Sequence, residues 1–506
     1  MLRLSIPTTP KTTTEPPEHH VLLASATQAA SGWASYLPSW APSPGKTRPS
    51  LTQGDGEGEP EIVGFRNPWP SWKKPTISEL WQNFQWGEDD DACVELATSH
   101  LADTPTPQKS ALSKQPSFHS TAASPTSFGA KAAQLLRIED PNFSFPPSAD
   151  PHARAKVTWL GHASLLVQLP SLGPDGTRPL GCLFDPIFTA RCSPSELAGP
   201  IRSYPAPCRV EDLPPIDVVC ISHNHQDHMS ELSLLSIWRH NKDSVRFFVP
   251  LRNKKHLLDF GIPADRIHEL DWWDSADLTH PSLTTDKSHA LRIRCTPAQH
   301  SSIRSGNDVN SALWSSWYLE HLTPSRPPFR VFFAGDTGYQ HHPSPSWPPS
   351  PNDPPDTPLE DAQDSAKHPA CPAFAEIRQR IGPPHLLLLP ISVGATFAYL
   401  RSFVPLPDWI NPFPRHTDGV TAANHMPPWD AVRVMNVMTE GSEGAVAVGM
   451  HWGTFVTDPV EVLKTLGGLE WACKKMGVRF GRGERKVGGG GGKVFLALNH
   501  GGSLVM

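Results

Sequence analysis

The sequence predicts an α/β sandwich occupying its C-terminal part, and three observations carry that expectation. Proline supplies 57 of the 506 residues, about twice its usual share, and such an excess must lie outside a packed core. From Lys156 onward, short apolar runs appear, first in succession and then alternating with amphipathic stretches. Several of these runs end on a polar residue, which suits buried strands covered by helices. The balance of 19% charged residues and a net charge of −6 argues against a dedicated nucleic-acid binder, because phosphate neutralisation needs clustered Lys and Arg.

Taken in chain order, residues 1–60 are rich in Thr, Pro, Ser and Gly and end in the acidic patch Asp55 to Glu59. Neither helical nor strand periodicity is present there, so disorder is expected. Residues 61–150 hold a Trp-rich docking segment, Phe65 to Trp86, and then a Ser/Thr/Pro/Ala stretch from about 103 that should also be disordered. The domain proper is expected over 151–506. Its strands should lie at Val157–Leu160 and Ser164–Leu169, around a Gly161-His162 turn, then at Gly181–Phe184, Asp217–Ser222, Arg246–Val249 and Leu291–Thr296. Arg330–Ala334, Leu386–Pro390, Ala445–Gly449 and Val494–Leu498 complete the set. Helices are expected at Leu232–Asn241, Lys254–Phe260, Ala373–Ile381, Trp429–Thr439 and Pro459–Gly477. A proline-dense insertion at 341–372 and the glycine run Gly488–Gly492 read as exposed connections. Leu400 to Met426 is long for a loop and too apolar at Phe403, Trp409, Ile410 and Phe413 for a solvated linker; a lid or lipid-facing flap is expected.

Eight scattered cysteines without CxxC spacing read as small buried hydrophobes in a reducing compartment. No run approaches the ~18 apolar residues of a membrane span. The polar, proline-broken stretch Thr8 to Glu18 occupies the place of a signal-peptide core, while the lack of acidic residues before Glu15 allows a mitochondrial transit peptide. The expected location is intracellular, cytoplasmic or peripheral on an internal membrane, the mitochondrion included.

The chemistry is concentrated after the Asp217–Ser222 run. His223-Asn-His225-Gln-Asp227-His228 places four metal-ligand side chains in six positions. His at i and i+2 point the same way on an extended segment, so His223 and His225 can grip one ion while Asp227 and His228 face a second. Two ions ~3.5–4 Å apart need further ligands and a bridging carboxylate. His300, Asp336 and His451 each follow a predicted strand. Alone, each would be an ordinary structural residue; together, at strand ends of one sheet, they complete a seven-donor dinuclear set.

These residues resemble the metallo-β-lactamase fold hydrolases. More closely, Thr158-Trp-Leu-Gly-His-Ala163, Asp185-Pro-Ile-Phe188, Leu213-Pro-Pro-Ile-Asp217, Glu269-Leu-Asp-Trp-Trp273, Phe333-Ala-Gly-Asp-Thr-Gly-Tyr339 and His451-Trp-Gly-Thr-Phe455 resemble the N-acyl-phosphatidylethanolamine-hydrolysing phospholipases D. Asn67-Pro-Trp-Pro-Ser-Trp72 resembles that family's N-terminal segment, so the likeness covers roughly 62–86 and 150–505. The resemblance implies a four-layer αβ/βα sandwich and two Zn2+. One zinc would take His223, His225 and His300, the other Asp227, His228 and His451, with Asp336 and a hydroxide bridging. Asp185 would orient the ligand loop, and Asp227, Asp336 and His425 are the candidate catalytic residues.

The reaction so implied is phospholipase D-type hydrolysis of N-acyl-phosphatidylethanolamine to N-acylethanolamine and phosphatidic acid. The expected partners are the phospholipid substrate and a peripherally bound membrane; a homodimer is allowed and nucleic acid is not. Trp72, Trp81, Trp86 and the Trp409/Phe413 flap are the candidates to touch a bilayer interface. The same fold and ligands also serve nucleases, thioesterases and sugar-lactone hydrolases, and a non-catalytic scaffold is a further alternative. A nuclease would want a basic stripe, and a thioesterase leaves the Leu-Asp-Trp-Trp and Asp-Pro-Ile-Phe matches unexplained. A scaffold would have no reason to keep every ligand.

Overall fold

The computed structural model describes residues 2–6, 17–22, 62–85, 92–99, 127–146, 153–173, 178–193, 195, 199–281, 290–324, 326–342, 366–392, 410–411, 416–417, 421–456, 458–482 and 492–506. Most of the proline-dense insertion, most of the 400–420 flap and most of the glycine run lie outside these residues, as does Trp86.

In chain order the strands are β1 (Arg3–Ser5), β2 (His20–Leu22), β3 (Ile62–Phe65), β4 (Phe84–Gln85), β5 (Lys156–Gly161), β6 (Ser164–Leu169), β7 (Leu180–Phe184), β8 (Val218–Cys220), β9 (Arg246–Pro250) and β10 (Ile267–Leu270). There follow β11 (Ser275–Thr279), β12 (Ala290–Thr296), β13 (Ser316–Thr323), β14 (Arg326–Phe333), β15 (Leu386–Pro390), β16 (His416–Thr417), β17 (Val446–Met450), β18 (Arg479–Arg482), β19 (Val494–Ala497) and β20 (Ser503–Val505). The helices used below are α1 (Ile77–Asn83), α2 (Ala92–Ser99), α3 (Ser127–Leu135), α4 (Glu231–His240), α5 (Lys254–Asp259), α6 (Ala373–Ile381), α7 (Pro428–Met438) and α8 (Pro459–Lys475).

Two sheets result. One runs β10-β9-β8-β7-β6-β5-β20 and the other β1-β11-β12-β13-β14-β15-β17-β19-β18. Side chains alternate across each strand, and here both faces are buried, which produces the near-continuous apolar runs. In the first sheet Phe184, Val218, Cys220 and Phe248 point into the central core, whereas Leu183, Val219, Ile221, Phe247 and Val249 join a second cluster with Leu234 and Ile237 of α4 and Leu257 of α5. The sheets meet where Phe184 stacks on Phe333 at 4.6 Å and where the Trp317 indole donates to the Ile221 carbonyl at 3.1 Å. Phe374 of α6, Val432 and Met435 of α7 and Leu463 and Leu466 of α8 are buried in the cluster that includes the second sheet. The result is the expected four-layer αβ/βα sandwich.

The amino-terminal expectation needs correction at two places. Arg3–Ser5 pairs antiparallel with Thr279–Asp277, and His20–Leu22 pairs with Ile62–Phe65, so these parts of 1–60 are ordered by distant partners. The second supposedly disordered stretch contains α3, which buries Ala132, and Leu136 directly after it is buried too. Local composition cannot register such long-range pairing. All eight cysteines are free thiols, and only Cys208 is partly exposed.

Candidate metal centre

Each predicted ligand sits just beyond a strand's carboxyl end, in the crevice between the sheets. The first sheet sends His162 after β5, Asp185 after β7 and His223, His225, Asp227 and His228 after β8. The second sends His300 after β12, Asp336 after β14 and His451 after β17. Carboxyl ends of parallel strands are the usual place for such crevices. Two glycines let the Asp336 loop come close. Gly335 has φ +60 and packs where a Cβ would lie 2.6 Å from Ser222 Cβ, and a Cβ on Gly338 would strike the Ala423 carbonyl.

The seven predicted donors come together. His223, His225, His300 and Asp336 form one group, and Asp227, His228 and His451 belong to another, whose ligand atoms lie within 4.8 Å of one another. Asp336 touches both: its Oδ2 lies 3.1 Å from His228 Nε2 and 3.8 Å from His300 Nε2, and its Oδ1 lies 3.1 Å from His451 Nε2. His425 joins them with Nε2 3.2 Å from Asp336 Oδ2.

The outward ring nitrogens explain which inward ones are free to ligate. Asp185 accepts from the Ser222 amide at 2.7 Å and from the Ser222 hydroxyl. The Ser222 oxygen then accepts from His223 Nδ1 at 2.8 Å, and Asp185 accepts from His228 Nδ1 at 2.7 Å. His300 Nδ1 donates to the Asn424 carbonyl at 3.2 Å. With protons fixed on these Nδ1 atoms, the Nε2 lone pairs of His223, His228 and His300 face inward. Asp185 thus stands where the sequence placed it, behind the ligand loop.

These donors fit a pair of cations. His223 Nε2 lies 2.8 Å and His300 Nε2 3.4 Å from His225 Nδ1, so three ring nitrogens converge with at most one proton to share among them. His228 Nε2, His451 Nε2 and Asp336 Oδ1 are buried without an aligned hydrogen bond. Burial and the neighbouring histidines hold His223 and His300 well below the ordinary imidazole range, which is the neutral, ligating form. Against burial, Asp336 and Asp227 push His228 well up, and Asp336 with Asp227 takes His451 to about 9. Filling the second group therefore releases protons.

Sequence reasoning passed over His162. Its Nε2 lies 2.9 Å from Asp227 Oδ2, it groups with Asp227, His228 and His451, and its ring lies 4.1 Å from that of His451. The signal was present in the Gly161-His162 turn at a strand end. His162, Asp185 and His451 also share left-handed backbone, with φ of 50°, 36° and 57°. Such conformations in non-glycine residues cluster at functional sites. The Trp-rich segment contributes as well: Asn67 donates to the His300 carbonyl at 2.7 Å and accepts from its amide at 3.2 Å, and Ser71 donates to Gln299.

The two packed sheets and the two-group donor set are similar to those of the metallo-β-lactamase fold. Residues 182–346 match the beta-lactamase superfamily domain. The chain is 30% identical over 303 residues to N-acyl-phosphatidylethanolamine-hydrolyzing phospholipase D 1 of Caenorhabditis elegans, covering 59% of this chain and 64% of that one. It is 28% identical over 326 residues to the mitochondrial N-acyl-phosphatidylethanolamine-hydrolyzing phospholipase D of Saccharomyces cerevisiae, covering 62% and 53%. An uncharacterised protein of Mycobacterium tuberculosis is 32% identical over 307 residues, covering 61% of each chain. The matched stretch spans less than two thirds of each relative's own length. These relatives support the kinship read from the motifs.

Proposed function

We propose that this chain is a zinc-dependent phosphodiesterase of the phospholipase D type that converts N-acyl-phosphatidylethanolamine to N-acylethanolamine and phosphatidic acid. The observation that carries the reading is Asp336, whose carboxylate contacts ligands of both donor groups. His223, His225 and His300 would hold one ion, Asp227, His228 and His451 the other, and Asp336 would serve both. Ions so held would lower the pKa of a bound water towards neutrality and would neutralise charge on a phosphate oxygen. The remaining work falls to the chain. Asp185 fixes the ligand loop through Ser222 and His228, and His162 holds Asp227. His425, within 3.2 Å of Asp336 and facing the same space, is the side chain that could pass a proton to the departing alkoxide.

The lipid assignment draws on the names of the nematode and yeast relatives and on α1. There Ile77 is 85% and Trp81 70% exposed, one helical turn apart, an arrangement suited to an interfacial contact. Among the described residues no helix is long and apolar enough to cross a membrane, so we infer peripheral binding. The yeast relative's name makes the mitochondrial membrane the one to test first. The decisive assay incubates zinc-loaded protein with vesicles containing N-acylated or plain phosphatidylethanolamine and identifies products by mass spectrometry. N-acylethanolamine and phosphatidic acid from the first lipid should form, and Asp336→Asn or His223→Ala should abolish them and lower metal content while the fold persists. Absence of both products from the zinc-loaded wild type refutes the substrate; full activity in either variant refutes the site.

A further inference from the structure

Away from the paired-ion crevice, a second, largely buried cluster joins the amino-terminal segment to the domain. His19 Nε2 lies 2.8 Å from Asp271 Oδ1 and His20 Nε2 2.8 Å from Asp271 Oδ2. The two imidazoles are almost wholly buried, at 7% and 8% side-chain exposure, and the carboxylate is 18% exposed. We propose that His19, His20 and Asp271 form a third cation site, for a borderline divalent metal of the zinc or cobalt class, that clasps β2 to the loop after β10.

Three features lead there. The donor atoms of all three side chains lie within 4.8 Å of one another, and two imidazoles with one carboxylate are the donor set that zinc and its neighbours prefer. Only one of the two close contacts is an aligned hydrogen bond, His19 to Asp271; His20 Nε2 reaches the other oxygen without such alignment. Close donors that do not point at one another are what a shared ion's ligands look like, and the same pattern marks His228 and His451.

The rings are also held in place independently of any ion. His19 stacks on Trp272 at 4.2 Å and His20 meets Phe65 edge-on at 5.5 Å. The Arg66 amide donates to the His19 carbonyl and the His20 amide to the Pro17 carbonyl, each at 2.9 Å. An ion held by these three side chains would have a further ligand position to fill.

The clasp is coupled to the crevice. Trp272, next to Asp271, donates through its indole to the Trp314 carbonyl at 2.7 Å, and the Trp314 indole donates to the Ala298 carbonyl at 2.9 Å, two residues before His300. An ion on Asp271 would thus tie the amino-terminal strand to the element that delivers a ligand of the paired-ion site.

Metal counting tests this without reference to activity. Full-length protein is stripped with chelator, re-equilibrated with excess Zn2+, desalted and analysed by elemental mass spectrometry. Three ions per chain are expected for the wild type. The His19→Ala/His20→Ala double variant and Asp271→Asn should each retain two, with unchanged far-ultraviolet circular dichroism. A wild-type count of two overturns the proposal, and needs no variant to fold. A count of three that the double variant keeps overturns it equally. A count of three that falls to two in Asp336→Asn but not in the double variant would assign the extra ion to the crevice and refute the clasp.

Discussion

His300 is positioned by residues that need never touch a substrate. Asn67 makes paired hydrogen bonds to its backbone, donating at 2.7 Å and accepting at 3.2 Å, and the Asn424 carbonyl faces its Nδ1 at 3.2 Å. Its neighbour Gln299 is tied through its amide to the Thr337 hydroxyl at 3.0 Å and through its side chain to the Ala423 carbonyl at 2.8 Å. The ring of a ligand so held loses little freedom when an ion binds, and loss of such outer contacts typically costs about 10–100-fold in metal affinity. Asn67→Ala should therefore weaken binding of one ion by about tenfold or more, read by titration against a chromophoric chelator, with the far-ultraviolet spectrum unchanged. Undiminished affinity for both ions would show the pairing to be incidental. The ligands themselves were legible because His and Asp directly after an apolar strand have few bland explanations when seven occur together. Asn67 was legible only as part of a motif, since its partner lies 233 residues away. His162 was hidden by its turn, where Gly-His reads as a reversal of the chain before it reads as chemistry.

At the scale of elements, the predictable strands were those buried on both faces. Leu386–Pro390 was placed to the residue and is wholly buried. Ser275–Thr279 and Ser316–Thr323 escaped because Ser, Asp, Glu and His interrupt their apolar pattern; in the structure Asp277 pairs with Arg292 at 2.7 Å and Glu320 with Arg294 at 2.8 Å across the sheet. Helix α1 was legible as a docking segment but not as a helix. Its start is a reciprocal cap: the Thr76 amide and hydroxyl donate to Glu79 at 2.7 and 2.8 Å, and the Glu79 amide donates to the Thr76 hydroxyl at 3.2 Å. Burial acts to raise the Glu79 carboxyl, but Thr76, Lys73 and His341 together hold it down at about 2, from an ordinary 4.5. A carboxyl lowered on folding adds stability that is complete above about pH 4.5 and is lost as pH falls towards 2. Hydrogen-exchange protection of Ile77–Asn83 should accordingly drop between pH 5 and pH 3 in the wild type. In Glu79→Gln it should already be low at pH 5 and change little further. Equal pH dependence in both proteins would mean that another group governs the helix.

Across the whole molecule, the donor groups draw on both sheets. Asp227 and His228 come from the first sheet, while Asp336 and His451 come from the second, and His300 of the second sheet faces His223 and His225 of the first. Bound cations would therefore cross-link the two halves of the sandwich at the open end of its core. The crevice gathers buried carboxylates on Asp185, Asp227 and Asp336 beside several imidazoles, a concentration of like donors that bound cations would neutralise. An ion that binds the folded chain alone stabilises it by RT ln(1 + [L]/Kd), about 4 kcal/mol at a thousandfold excess over Kd. At ~2–4 °C per kcal/mol for a large domain, chelation should lower the melting temperature by on the order of 10 °C, and re-addition of Zn2+ should restore it. Asp336→Asn, lacking the carboxylate shared by both groups, should start from the lower temperature and respond weakly to chelator. If the wild type melts at the same temperature with and without chelator, the ions do not join the sheets, and packing such as Phe184 on Phe333 suffices to hold the sandwich closed.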